Sequence, residues 1–483
     1  MDSHNSLRLS RRRFVTGALF TGAAALVAAC SSSTSSASPT AAPAAAASPT
    51  AVSQALAATP TPLPGHPTPT PLPTPVNLAK GSGTKPVLIW HNYTQNGYTA
   101  FSALIDDFVK ANPDYKVTAE YVPTSSGSQE NEKLITAIAG GKPPDVAEFD
   151  RFIVGSFAFR GALNDLTDMA KTAGISADQY LPFAWEEASL FGKLYAMPID
   201  TDARALYLRK DYLSQAQITT MPQTPDDLVT LADKLTVKNG NQYQRFGLIP
   251  SMDQGMLYTW GWVFGGSFYD QKTGKVTPDD PKIVDALTWM TGFAKKYGEE
   301  NMVSFASAFG QGAQSPFIAG MVATDPNGSW LIGQIQQYGP SLQYEIIPYP
   351  QPSGVKPTTW SGGWSWTVPK GSKNVQDGFA LASFITNDAE QTKYCKAVSN
   401  FPTRTNALKD PAFTAGNYKV FSDLLPNSHH RPVIPEGNML WNELLTATSN
   451  AMYAKASPAD ALKQVATDVN GQLTKDGWFK HFS

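Results

Sequence analysis

Apolar residues recur along residues 87–149 with two alternating periods. Val87-Leu88-Ile89-Trp90 is a short apolar run that predicts a strand. Phe101, Leu104, Ile105, Phe108 and Val109 follow at helical spacing, and Asn112-Pro113 stops that helix. Lys116 to Tyr121 alternates as a strand does. Leu134, Ile135 and Ile138 mark a second helix closed by Gly140-Gly141, and Asp145 to Phe149 reads as a third strand. Strand–helix–strand alternation with short loops predicts an α/β fold with a parallel-type sheet.

Start signals for later helices are explicit. Thr224-Pro225-Asp226-Asp227 supplies a cap, a proline at the first helical position and acids in the first turn; Ser457-Pro458-Ala459-Asp460 repeats the device before Ala461 to Leu473. Gly192-Lys193 and Thr273-Gly274-Lys275 predict hairpin turns. A folded region of this length divides into two units, yet no Pro/Ser-rich linker interrupts it. Two lobes joined by several ordered crossings fit that pattern.

The first eighty residues are different in kind. Ser10-Arg11-Arg12-Arg13-Phe14-Val15 precedes an apolar run from Phe14 to Ala29, shorter than the roughly 20 residues that span a bilayer, which predicts an export signal. The paired arginines resemble a twin-arginine signal. Leu26-Val27-Ala28-Ala29-Cys30 resembles a bacterial lipobox, which implies cleavage before Cys30 and a lipid on its thiol. From residue 31 to 79 there is no Asp, Glu, Lys or Arg, and proline recurs at nearly every second position from Pro60 to Pro75. Such a segment buries no core and favours extended polyproline II, so it reads as a tether. A lipidated Cys30 leaves Cys395 as the mature chain's single thiol, a small packing residue in a helical run. The balance of 38 basic and 40 acidic residues argues against nucleic acid as a partner.

Seven segments then occur in the order found in one family. They are Ile89-Trp90 with the run from Phe108 to Val117, Gly140-Gly141-Lys142-Pro143-Pro144-Asp145-Val146, Gly161-Ala162-Leu163-Asn164-Asp165-Leu166, Gly192-Lys193-Leu194-Tyr195-Ala196-Met197-Pro198, Gly320-Met321-Val322-Ala323, Asn327-Gly328-Ser329-Trp330, and Phe401-Pro402-Thr403-Arg404. Together they resemble the bacterial extracellular solute-binding proteins of sugar ABC importers, the maltose-binding type. The resemblance implies a periplasmic-binding-protein-like fold of two α/β lobes with a ligand cleft between them. It implies boundaries at 1–30 (signal), 31–84 (tether), 85–203 and 360–408 (N-lobe), and 204–359 and 409–483 (C-lobe). The first crossing is expected near Asp202 to Leu208 and the return near Trp360 to Ser365. The implied protein is a monomer, tethered through Cys30 to the outer face of the cytoplasmic membrane, that carries a carbohydrate to the importer's membrane subunits.

A sugar presents hydroxyls that donate and accept, and a C–H face that stacks on aromatic rings. All 11 tryptophans lie after residue 89. The resemblance places Asp150, Arg151, Asp202, Trp330 and Trp441 at the cleft. Asn92 stands in the loop where the family has an acid–lysine pair, Asn442 replaces an aromatic and Leu445 an arginine, departures that weaken the case for a long maltodextrin. Trp364, among the glycines of Trp360-Ser361-Gly362-Gly363-Trp364-Ser365-Trp366, and Tyr258 or Trp260 are further candidates, each weighed against burial in the core.

Two other classes stay open: a binding protein for a non-sugar solute such as a polyamine, and an exported glycoside hydrolase using Asp150 and Asp202. Glu186-Glu187 is adjacent and cannot face one substrate from a helix. H-E-x-x-H, G-x-S-x-G and P-loop motifs are absent, and the sequence calls for no cofactor or metal. His429-His430 reads as solvated surface.

Overall fold

The strand Lys85–His91 buries Val87 and Ile89 and has a parallel neighbour on each side, Tyr115–Tyr121 and Val146–Asp150. The computed structural model describes residues 77–123, 132–310 and 312–482. All belong to one unit, Pro60–Ser483; the other unit, Met1–Thr59, lies outside the described residues, and with it Cys30 and the export signal.

The three expected strands are the parallel part of a mixed six-stranded sheet. Leu78–Lys80 adds antiparallel at one edge, beside Tyr115–Tyr121. At the other side Trp364–Thr367 pairs antiparallel with both Val146–Asp150 and Ala196–Pro198. The edge strand starts before residue 85, where the sequence reading ends the tether. Asn77-Leu78-Ala79-Lys80 has no alternation of its own; its order comes from the neighbour, and the Asn77 side chain accepts the Tyr121 N–H at 3.0 Å. The helix Gln95–Ala111 covers this sheet with Phe101, Leu104, Ile105 and Phe108. It ends where expected, at Asn112, whose backbone and side-chain nitrogens both donate to the Phe108 carbonyl at 2.9 Å.

A second sheet is antiparallel throughout. Arg204–Arg209 runs at its centre between Thr324–Gly328 and Tyr344–Ile347, with Leu206, Tyr207 and Leu208 fully buried. The helix Pro225–Leu235 in this part has a complete capping box, with Thr224 accepting from the Asp227 N–H at 3.2 Å.

The chain passes between the sheets in residues 199–203 and again in residues 361–363. These passages are paired to other segments. Asp200–Thr201 pairs with Phe401–Pro402, and Thr359–Trp360 runs parallel to Ser428–His429. The passages are bonded to each other, the Ile199 N–H donating to the Trp364 carbonyl at 3.0 Å. Among the described residues, no helix is long and apolar enough to cross a membrane.

Candidate functional site

Asp150 stands where the first sheet ends and a helix begins. Its carboxylate caps Arg151–Phe159 by accepting the Phe152 N–H at 3.0 Å. The same carboxylate takes both terminal nitrogens of Arg431, at 2.8 and 3.3 Å. Arg431 also reaches Glu187 at 3.2 Å, and Glu187 accepts from Arg151 Nε at 3.2 Å on its other oxygen. Both arginines are buried, so the charges are supportable only because each is paired and multiply hydrogen-bonded. Burial alone would lower the Arg431 pKa; Asp150 and Glu187 more than offset it and raise it.

Arg151 serves the passages between sheets. Its terminal nitrogens donate to the carbonyls of Asp200 and Gly362 and, at 3.5 Å, to that of Trp364. All of its guanidinium is enclosed by protein. The structure therefore places Arg151 at the hinge, holding carbonyls from both crossing segments.

Asp202 lies on the first passage and Arg204, two residues on, opens the strand that follows it, so the two share one face of an extended segment. Arg204 Nη1 donates to Asp202 Oδ1 and, at 3.0 Å, to the Trp360 carbonyl, while Nε donates to Gln254 at 3.2 Å. Its guanidinium lies 3.5 Å from the Trp360 ring centre and 5.6 Å from that of Trp330. Trp330 is half-buried, and its ring folds over Gly328, where an added Cβ would lie 2.0 Å from it. The Asn-Gly-Ser-Trp segment thus turns the indole across the strand end.

Aromatic rings continue from this floor. Trp360 lies 6.2 Å from Tyr258, Tyr258 lies 5.8 Å from Trp441, and Trp441 lies 5.8 Å from Phe152 beside Asp150. Tyr258 is buried and its hydroxyl has no hydrogen-bond partner among the described residues. Trp364 is half-buried opposite Asp150 in the strand register, its N–H donating to Asp200 at 2.8 Å. Asn92 is half-buried, with its N–H on Glu148 at 2.7 Å. The structure thus gathers Asp150, Arg151, Asp202, Tyr258, Trp330, Trp364 and Trp441 around the passages between the sheets.

Residues 103–419 match the family described as bacterial extracellular solute-binding protein. The chain belongs to that family. This solute-binding protein is 25% identical over 356 residues to the maltotriose-binding protein of Pyrococcus abyssi, covering 73% of this chain and 70% of the relative. It is 24% identical over 406 residues to the maltooligosaccharide ABC transporter solute-binding lipoprotein of Streptococcus pneumoniae, covering 80% and 90%. Among solved structures, CpMnBP1 with mannotriose bound superimposes with a TM-score of 0.72 at 26% identity, covering 80% of this chain and 99% of that one. The expected family and the two-lobed α/β fold are borne out.

Two candidates of this solute-binding protein stand apart from the gathered set. Trp260 faces the core: its ring packs against Trp289 and Tyr349, and its Nε1 donates to the carbonyls of Pro250 at 2.7 Å and Gly255 at 2.9 Å. Helical geometry explains the split, since Tyr258 and Trp262 are four apart and stack at 5.0 Å, leaving Trp260 on the opposite face. Asn442 is exposed on the helix Gly437–Met452 one position past Trp441.

Sequence reasoning missed Arg204, Glu187 and Arg431. Arg204 had a readable signal in its i, i+2 spacing from Asp202. Glu187 and Arg431 had none, because their partners meet only through the fold. The adjacent acids do face apart: Glu187 is buried on the two arginines, while exposed Glu186 meets His430 Nε2 at 3.1 Å. His430 is thus more engaged than a solvated surface residue. Burial opposes its charge, yet the bond to Glu186 and the field of Glu187 leave its pKa raised. With Phe183, Trp262 and Phe268 this pair lines a cavity of about 300 Å³. Cys395 is free and buried, with burial raising its thiol pKa, as suits a packing residue.

Proposed function

We propose that this protein captures an uncharged carbohydrate between its two lobes and delivers it to an ABC importer by closing about the crossing segments. Charge balance at the floor carries the reading. Asp150, Asp202 and Glu187 are matched by Arg151, Arg204 and Arg431, every carboxylate paired with a guanidinium. A polyamine needs carboxylates without cations, and this floor offers none of these three. An uncharged polyol needs fixed donors and acceptors beside aromatic faces, which Trp330, Trp364, Trp441 and the Tyr258 hydroxyl supply. Asp150, Asp202 and the three indoles are the proposed ligand contacts, with Asn92 at the rim.

Closure follows from the same geometry. A ligand that touches both lobes favours the state in which both can reach it. The lipid on Cys30 would hold the protein near its importer.

The test is a panel of malto- and manno-oligosaccharides, their monosaccharides and spermidine, read by melting temperature and tryptophan emission. A matching sugar at 100 times its Kd adds about 2.7 kcal/mol of stability. A response to spermidine alone, or to nothing in the panel, rejects the carbohydrate reading, and release of shorter sugars from a labelled oligosaccharide would mark a hydrolase.

A further inference from the structure

Both ring nitrogens of His430 face acceptors. Nδ1 lies 2.8 Å from the Arg431 carbonyl oxygen, and Nε2 lies 3.1 Å from Glu186 Oε2. Neither partner donates: a carbonyl has no proton, and Glu186 is held as a carboxylate, its pKa lowered chiefly by the bond to His430. A neutral imidazole carries one N–H and makes only one of the two bonds. The geometry therefore requires an imidazolium.

Other groups around the ring are neutral or already paired. Glu187, beside Glu186, is buried and taken up by Arg151 and Arg431. His429 stacks on Trp262 at 5.3 Å, and burial lowers its pKa to about 4, so it stays uncharged. Across the cavity of about 300 Å³, Ser267, Tyr269 and Gln271 bring no charge, burial keeping the Tyr269 phenol protonated. The Asp270 carboxylate is turned to Thr273 at 2.7 Å and to the Lys272 N–H at 2.9 Å. Glu186 is thus the acid that meets the His430 proton, and with its side chain 56% exposed, solvent reaches the pair.

Position gives the pair its reach. Glu186 stands in the last turn of the helix Pro182–Glu187, and His430 precedes Arg431, whose guanidinium holds Asp150 at 2.8 Å. Ser428–His429, just before, pairs with Thr359–Trp360 at the return passage. The pair therefore ties that helix to the segment that carries Arg431 and flanks the passage. With the ring neutral, a lone pair faces either the carboxylate or the carbonyl, and one of the two bonds gives way. The grip of Arg431 on Asp150 then has one restraint fewer.

We infer that Glu186 and His430 form a proton-operated brace of the ligand floor, which holds Arg431 against Asp150 while His430 is charged and relaxes when it loses its proton. The inference rests on the carbohydrate reading above and adds a regulation of that same site. A floor held in place before the ligand arrives loses less free energy to ordering, so sugar binds more tightly to the braced form. By linkage, bound sugar raises the His430 pKa by the same factor.

The experiment titrates the best sugar of the panel calorimetrically into wild-type protein and Glu186→Gln from about pH 6 to about pH 9. Wild-type affinity falls about two- to fivefold across that interval, the scale of a partly exposed ion pair. Against burial, the bond to Glu186 raises the His430 pKa above 6.5, so the fall lies above that pH. A glutamine amide accepts from the charged ring and donates to the neutral one, so Glu186→Gln keeps the tie at every pH and varies less than about 1.5-fold. Ring resonances of His430, assigned by their loss in His430→Asn, shift to a pKa higher by about 0.3–0.7 on saturation with sugar. Asp200 and Glu148 are raised to about 6 and about 8, so a pH dependence that persists in Glu186→Gln belongs to them and overturns the brace. Wild-type affinity that is level or rises with pH, or a His430 pKa unmoved by sugar, overturns it too and leaves the carbohydrate reading standing. Wild-type protein that binds no sugar overturns both.

Discussion

A Cβ on Gly363 would lie 2.3 Å from the Asp200 carbonyl oxygen and 2.4 Å from Arg151 Nη1, at a φ of +136° that L-residues rarely adopt. Adjacent glycines therefore have separate duties. At Gly362 an added Cβ would meet its neighbours at 3.3–3.5 Å, whereas only glycine at 363 lets the returning chain pass the Asp200–Arg151 contact. Gly363→Ala is expected to lower stability by about 1–3 kcal/mol through backbone strain, with further loss from the collision. Chemical denaturation checks this: a midpoint equal to wild type would show that the hinge has another conformation. The glycine pair was visible in the sequence as a place of close approach, but its division of labour was not, because Asp200 and Arg151 lie far from it along the chain. The same distance hid Arg431, whose partners Asp150 and Glu187 precede it by 281 and 244 residues. Asp150 and Asp202 entered through family position, whereas Arg204 went unread despite its i, i+2 spacing from Asp202.

At the scale of elements, local signals fixed helix ends and left sheet composition open. Proline punctuation placed the end of Gln95–Ala111 and the start of Pro225–Leu235, since capping is a property of a few adjacent residues. The hairpins at Gly192-Lys193 and Thr273-Gly274-Lys275 were local and readable, but the long-range antiparallel pairing was not, because Trp364–Thr367 joins a sheet whose first strands lie hundreds of residues earlier. That pairing sets the environment of Glu148 in the strand Val146–Asp150, opposite Trp366 and buried. Burial raises its pKa from 4.5 to about 8, against the hydrogen bond from the Asn92 N–H. The folded state thus binds this proton more tightly than the unfolded chain. Its stabilising effect is complete below pH 4.5 and is lost as pH rises towards 8. Asp200 is raised to about 6 by the same cause, so its share of the loss is complete at lower pH. Glu148→Gln is expected to flatten the fall in melting temperature between about pH 6 and pH 8. An unchanged slope in that interval would assign the proton to another group.

For the whole molecule, a carrier must release its ligand beside its importer, and the export signal and lipobox expected before residue 31 would serve that same task. Among the described residues no helix is long and apolar enough to cross a membrane, and the proposed anchor lies in the segment before them. The proposed anchor is Cys30, which follows the small residues Ala28-Ala29 as the lipobox resemblance requires. A diacylglyceryl group on the thiol would provide two acyl chains, and two are what stable anchoring takes, one giving only reversible binding. Cys30→Ser is therefore expected to leave sugar affinity unchanged while moving the protein from the membrane fraction to the soluble or unprocessed one. Fractionation of cells that express each form, with sugar titration of the purified proteins, reads both outcomes. Normal membrane retention of the serine variant would reject the lipid anchor, and an altered affinity would mean that the N-terminal segment reaches the cleft.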